Sequence, residues 1–306
     1  MNTIDPSHVY RLAIVGAGLS ALSALQAGLD GEDTLLLDYQ DGPGGFLRHA
    51  LTATGLEDLA AFVRATALPD RLTTSFHSTV VGLLPAFVEG EPHTLVVRRS
   101  SGTIEVRATQ VLLACGGLEL TRESAQIPGP RPAGVITPVF AHQLLNRGYA
   151  PGRRIVVYGN ARYTQATAHR LALAGLSVTL VSPLDEPDPP LPVALSSAFT
   201  FLPPARLVAL AGFPRLEEVT FERAGATFTL AADTLVYATG LRANTHWLKG
   251  SGLTLTTQGA VEVDARYQTS VHGIYAIGTA VSPSLDHERS LAMGKEVALL
   301  LSGGAL

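Results

Sequence analysis

Sulfur and tryptophan are scarce in this sequence, with one cysteine, two methionines and one tryptophan among 306 residues. The single cysteine, Cys115 in the apolar run QVLLACGG, excludes an internal disulfide framework, a CxxC redox pair and a thiolate-rich metal site. The chain therefore cannot shuttle electrons through a dithiol of its own. Blocks of like charge are also missing: 22 Lys and Arg stand against 26 Asp and Glu, for a net charge of -4. That leaves no electrostatic footprint for nucleic acid or an anionic membrane. The nine histidines are scattered without H-x-x-x-H spacing, and no G-x-S-x-G elbow occurs, so neither a metal site nor a serine hydrolase is expected. No apolar run reaches the roughly 18 residues needed to span a bilayer. The N-terminal stretch lacks a basic region and a small-residue cleavage site, so a soluble cytoplasmic protein is expected.

The sequence does hold enough apolar residues, 46% of the chain, to build two ordinary cores. Residues 11–38 read as a strand (RLAIVGAG), a helix (LSALSALQAGL) and a second strand (TLLLDY). The same order recurs at 153–182, where RRIVVYG leads into NARYTQATAHRLALAG and LSVTLVS. Two βαβ units of mononucleotide type are implied. A second pairing, ATQVLLACGG with AADTLVYATG, suggests that each unit closes with the same strand and small-residue turn. The proline-rich stretch 183–205 reads as an ordered surface loop or linker. The last segment reads as a strand, a turn and a helix whose first turn would be capped by Ser284 or Asp286.

Gly16-Ala17-Gly18-Leu19-Ser20-Ala21 matches G-x-G-x-x-A between a strand and a helix. Such a loop needs glycine at 16 for a tight turn, at 18 for close approach of a pyrophosphate, and a small residue at 21 for helix–strand packing. The helix N-terminus then offers free N–H groups to phosphate. Asp38, ending the next strand 20 residues after Gly18, is placed to accept hydrogen bonds from a ribose.

GPGGFLRHA (42–50) is similar to the glycine pair and arginine that support the flavin side of FAD in two-dinucleotide-domain flavoproteins. VLLACGG, LVYATG and GIYAIGTA resemble the three strand-end signatures of that superfamily, and GPRPAGVITPVFAHQLLNRGYAPGRRIVVYG resembles the entry to its second domain. Length and order fit the low-molecular-weight thioredoxin reductase type. The 108–160 region looks more like the flavin subunits of hydrogen cyanide synthase and of dye-linked amino-acid dehydrogenases.

The resemblance implies an α/β fold of two Rossmann-like three-layer ββα domains, the second inserted in the first. An FAD domain would comprise 1–118 and 246–306, and a central NAD(P)H-type domain 119–245. FAD would be held by the loop residues Gly16, Gly18, Leu19, Ser20 and Ala21 together with Asp38 and Tyr39. Gly44, Gly45, Phe46, Arg48 and Val80 would join them, as would Ala114, Cys115 and Gly116. Gly278, Thr279, His287, Glu288 and Arg289 would complete the site from the C-terminal segment. There the helix N-terminus would face the flavin's pyrimidine carbonyl and stabilise charge developing on reduction.

Three departures stand out. Pro138 and Ala141 occupy the places of the family's redox cysteines, with His142 in the place of the following acid. His142 is thus a candidate proton carrier, or else a helix-terminal or interdomain residue. Thr279 replaces the family's aspartate beside the ribityl chain. In the second loop, Gly159-Asn160-Ala161-Arg162-Tyr163-Thr164, Ala161 adds a methyl where phosphate must approach and Thr164 adds bulk where helix meets strand. Arg162 could touch phosphate or lie on the surface. The next strand ends in Ser182, so nicotinamide binding is expected to be weak or absent.

An FAD-dependent oxidoreductase without a redox disulfide is expected, with NAD(P)H use weak or absent, a small-molecule or protein redox partner and a homodimeric state. His142 and His287 are its candidate catalytic residues. The alternatives are a non-catalytic flavin-binding or regulatory subunit, or the flavin subunit of an amine or amino-acid dehydrogenase complex.

Overall fold

The computed structural model describes residues 4–29, 31–88, 90–183, 197–284 and 286–302. The expected surface loop at 183–205 lies in part, at 184–196, outside the described residues. The chain separates into two compact units: residues 1–45, 62–118 and 241–306 form one, and 46–61 with 119–240 form the other. Residues 46–61 and 241–245 thus fall on the opposite side of the boundaries expected from sequence.

In the first unit the strand Val9–Val15 pairs in parallel with Thr34–Leu37 and with the long strand Gly102–Leu113. Thr73–Ser75 extends the sheet beyond Thr34–Leu37. The long strand divides its partners along its length. Its second half joins Val9–Val15 and Ile274–Ala276 in parallel, while its first half pairs antiparallel with His93–Arg99, which continues to Thr79–Leu84.

Two helices, α1 (Leu19–Gln26) and α2 (Glu57–Ala65), follow the first strand and the glycine pair. Helix α1 and the C-terminal helix His287–Leu301 pack on one face of this sheet, around Leu12, Ile14, Ala21, Leu112, Met293 and Val297. Leu35, Leu95, Val97, Val106, Val111 and Leu113 form the core on the other face. The layers are helix, parallel sheet and antiparallel meander.

In the second unit five parallel strands run in the order Thr200–Leu202, Ser177–Val181, Arg154–Tyr158, Thr234–Tyr237 and Val135–Ile136. Helices α3 (Pro138–Asn146) and α4 (Arg162–Leu173) share a core with Ile155, Val157, Leu180 and Val236. Across the sheet, Val156, Leu235 and Tyr237 pack with Leu207, Val219 and Phe221 of a three-stranded antiparallel sheet. Both units therefore show the expected ββα layering. The C-terminal helix is α5 (His287–Leu301), and among the two expected caps it is Asp286 whose side chain accepts from the Arg289 N–H. No helix among the described residues is long and apolar enough to cross a membrane.

Candidate functional site: two glycine loops with different surroundings

The first loop leaves the strand Val9–Val15 at Gly16, which adopts φ +104°. A Cβ there would stand 2.3 Å from the Ala114 carbonyl oxygen, so the end of the neighbouring strand requires glycine. At Gly18 the requirement differs, because a Cβ would meet nothing within 4 Å. The glycine here leaves its backbone open to a ligand.

The glycine pair closes against this loop. The Gly44 N–H donates to the Ala17 carbonyl at 2.8 Å, and a Cβ on Gly45 would lie 3.1 Å from the Gly18 Cα. From the C-terminal segment, Gly278 approaches Ser20 so closely that a Cβ would fall 2.2 Å from its Oγ. Thr279 packs its methyl against Gly117, where a Cβ would meet it at 2.6 Å. Gly294 of α5 abuts the Ser20 carbonyl in the same way, and Ser23 Oγ donates to the Leu291 carbonyl. Gly16, Gly18, Ser20, Gly44, Gly45, Ala114 and Gly278 are thus gathered around one helix N-terminus. Leu19 and Ala21 are buried in α1 itself.

Asp38 plays an additional part. Its buried carboxylate accepts from the Ala17 N–H at 2.6 Å and from the Gln40 N–H at 2.7 Å. The acid at the strand end therefore holds the loop's own backbone, a role the ribose expectation did not contain.

The remaining expected residues have varied surroundings. Val80 is a core residue paired with Val97, its side chain buried among Leu83, Leu95 and Val106, because its strand is the meander's outer one. Cys115 lies beyond the end of its strand, half-buried, and burial pushes its thiol up to about 12. Tyr39 is exposed, as are Glu288 and Arg289, while Gly116 has open space around it and His287 is half-buried. Phe46 and Arg48 lie in the short helical turn Gly45–His49 and belong to the second unit from Phe46 onward.

The second loop is differently supported. Gly159 has φ +143°, and its Cβ would meet the Ala238 carbonyl at 2.6 Å and the Thr164 methyl carbon at 3.2 Å. The first glycine is needed, and Thr164 fits the helix–strand contact that it was expected to obstruct, fully buried against this glycine. Asn160 is buried too, its carbonyl accepting from Gln165 Nε2 at 3.2 Å. Arg162 does not extend as an unengaged phosphate ligand. Its Nε donates to the Gly55 carbonyl at 2.6 Å, and both terminal nitrogens donate to the two carboxylate oxygens of Asp58.

His142 also departs from expectation. It lies in the middle of α3, fully buried, with Nε2 at 2.9 Å from Thr167 Oγ1 and Nδ1 accepting from Arg170 at 2.8 Å. Burial, then the Arg170 charge, pushes its pKa down to about 3. An imidazole held neutral between α3 and α4 braces two helices and takes up no second proton at physiological pH. Arg170 continues the brace to the His49 carbonyl and to Asn146 Oδ1. Sequence reading missed Asp58 and Arg170, since no motif links residues a hundred positions apart.

A family model described as pyridine nucleotide-disulphide oxidoreductase matches residues 10–293. Mercuric reductase of Shigella flexneri is 27% identical over 83% of this chain and 47% of its own length. The chain spans less than half the length of the curated relatives it matches. Among solved structures, thioredoxin reductase of T. acidophilum aligns with a TM-score of 0.69 at 19% identity, covering 95% of this chain and 97% of that one. L-proline dehydrogenase of P. horikoshii aligns with a TM-score of 0.67 at 21% identity, covering 97% of this chain and 56% of that one.

Proposed function

The chain belongs to the pyridine nucleotide-disulphide oxidoreductase family, and from that premise we propose that it is an FAD-dependent oxidoreductase working without a redox disulfide of its own. The observation carrying this reading is the first loop. Gly16 is required by Ala114, Gly18 is left open, and Gly44, Gly45 and Gly278 approach with no side chain to obstruct a pyrophosphate. These residues fit the dinucleotide.

Gly18 and the first N–H groups of α1 would hold its phosphates, and Asp38 would fix the loop that presents them. When bound, FAD would supply the redox chemistry, which no side chain of this chain provides. The N-terminal turn of α5 contributes a partial positive charge at its end of the site. Thr279 offers a hydroxyl where an aspartate would bring a charge.

With one cysteine in the sequence and its thiol held protonated by burial, the electrons would pass directly between flavin and substrate or a redox partner. Ala161 and Ser182 weigh against nicotinamide at the second loop. The protein would act in the cytoplasm, as a homodimer, on a small-molecule or protein partner.

The test is purification followed by FAD titration and visible absorbance. A yellow protein that is not bleached anaerobically by NADH or NADPH supports the full reading. Rapid bleaching by either nucleotide would restore the nicotinamide route, and a protein that takes up no flavin would refute the proposal.

A further inference from the structure

Helix α4 is polar in composition, RYTQATAHRLAL, yet residues 163–169 are buried without interruption. An amphipathic helix lying on a sheet leaves one face in water. Here one side packs on Val157, Val178 and Leu180, and the other is met by residues 46–61. The contacts run the length of the helix. Phe46 lies against Tyr163 with ring centroids 6.5 Å apart, Arg162 holds Gly55 and Asp58, Glu57 acts electrostatically on His169, and Arg170 reaches the His49 carbonyl.

Arg162 is the only lysine or arginine between Arg154 and Arg170, and it occupies the first turn of the helix that a dinucleotide's pyrophosphate would approach. We infer that the Asp58–Arg162 pair is an autoinhibitory contact, a carboxylate of the chain itself occupying the cation that an incoming pyrophosphate would need. The bidentate fork is the geometry in which arginine recognises phosphate, so Asp58 and a phosphate group compete for the same donors. The Gly55 carbonyl takes the third nitrogen, Nε, so all three guanidinium nitrogens are engaged by this segment. The Arg162 hydrogen bonds also hold the Asp58 carboxyl below the usual carboxylate range, keeping it charged at physiological pH.

Asp58 stands well exposed at the first turn of α2, so its replacement leaves no cavity. The inference rests on reading the second loop as an altered dinucleotide loop, and its test measures nucleotide affinity rather than flavin uptake. The two readings therefore fail separately.

The probe is ADP-ribose, which is redox-silent, titrated calorimetrically into the protein with excess FAD present. Asp58→Asn is expected to tighten ADP-ribose about twofold to fivefold over the wild type, the upper part of the range expected from releasing one exposed ion pair. Asp58→Ser, tested beside it, should do the same. Adding Arg162→Ala to either should abolish the gain, and raising salt should shrink it. Affinity unchanged or weakened by both Asp58 substitutions, or a gain that survives loss of Arg162, would overturn the inference.

Discussion

The Ala114 carbonyl oxygen stands where a side chain on Gly16 would have to begin, 2.3 Å from the ideal Cβ position. Gly16→Ala must therefore move the strand end as well as adopt φ +104°, which costs about 1–3 kcal/mol for the backbone conformation alone. A lowered melting temperature and loss of flavin uptake are expected together. Gly18→Ala separates the two effects, because its Cβ meets nothing within 4 Å. Melting of the flavin-free protein should shift little, while flavin titration should show clearly weaker binding.

Gly294 crosses α1 at its N-terminal half, with a Cβ position 2.2 Å from the Ser20 carbonyl and 2.7 Å from Ser23 Cβ. Gly294→Ala should lever α5 away and destabilise the protein by about 1–3 kcal/mol, the usual range for overpacking. Urea unfolding of the mutant checks this, and an unchanged midpoint would contradict the close crossing.

Asp38 accepts two backbone N–H groups from a buried position. Asp38→Ala leaves the Ala17 and Gln40 donors without that acceptor, at a cost of about 1–3 kcal/mol. Stability and flavin affinity should fall together, because the same carboxylate fixes the loop that meets the phosphates. Parallel melting and flavin titration of the mutant would reveal any separation of the two.

His142 makes stability depend on acid. Its folded pKa of about 3 lies below the usual unfolded value of about 6.5. Between these values the unfolded chain binds a proton that the folded chain refuses, so stability falls as pH drops through that window, by at most about 5 kcal/mol. His142→Gln removes this titration. Acid unfolding followed by circular dichroism should then show a shallower loss of stability between pH 6.5 and pH 3 than in the wild type.

Much of the first site was legible because its requirements are local. A strand, two glycines, a small residue and an acid lie within Leu12 to Asp38, and the backbone conformation that glycine permits is written at the position itself. Val80 was expected only from the resemblance, and its burial beside Leu95 and Val97 depends on strand pairing that the resemblance did not carry. For His142 likewise, whether the imidazole takes up a second proton depends on its burial and on Arg170, 28 residues away, which residue type alone does not record.

The second loop shows the division plainly. The sequence alone determined that a second βαβ unit exists, that its glycine pattern is altered at Ala161, and that this chain holds a single cysteine, because these follow from residue type and spacing. Only the tertiary structure decided what the altered loop's arginine does. Arg162 meets Asp58, 104 positions earlier, through chain folding that no periodicity encodes. Thr164 proved to fit its glycine because the packing of Gly159 and Ala238, not side-chain volume alone, sets the available space.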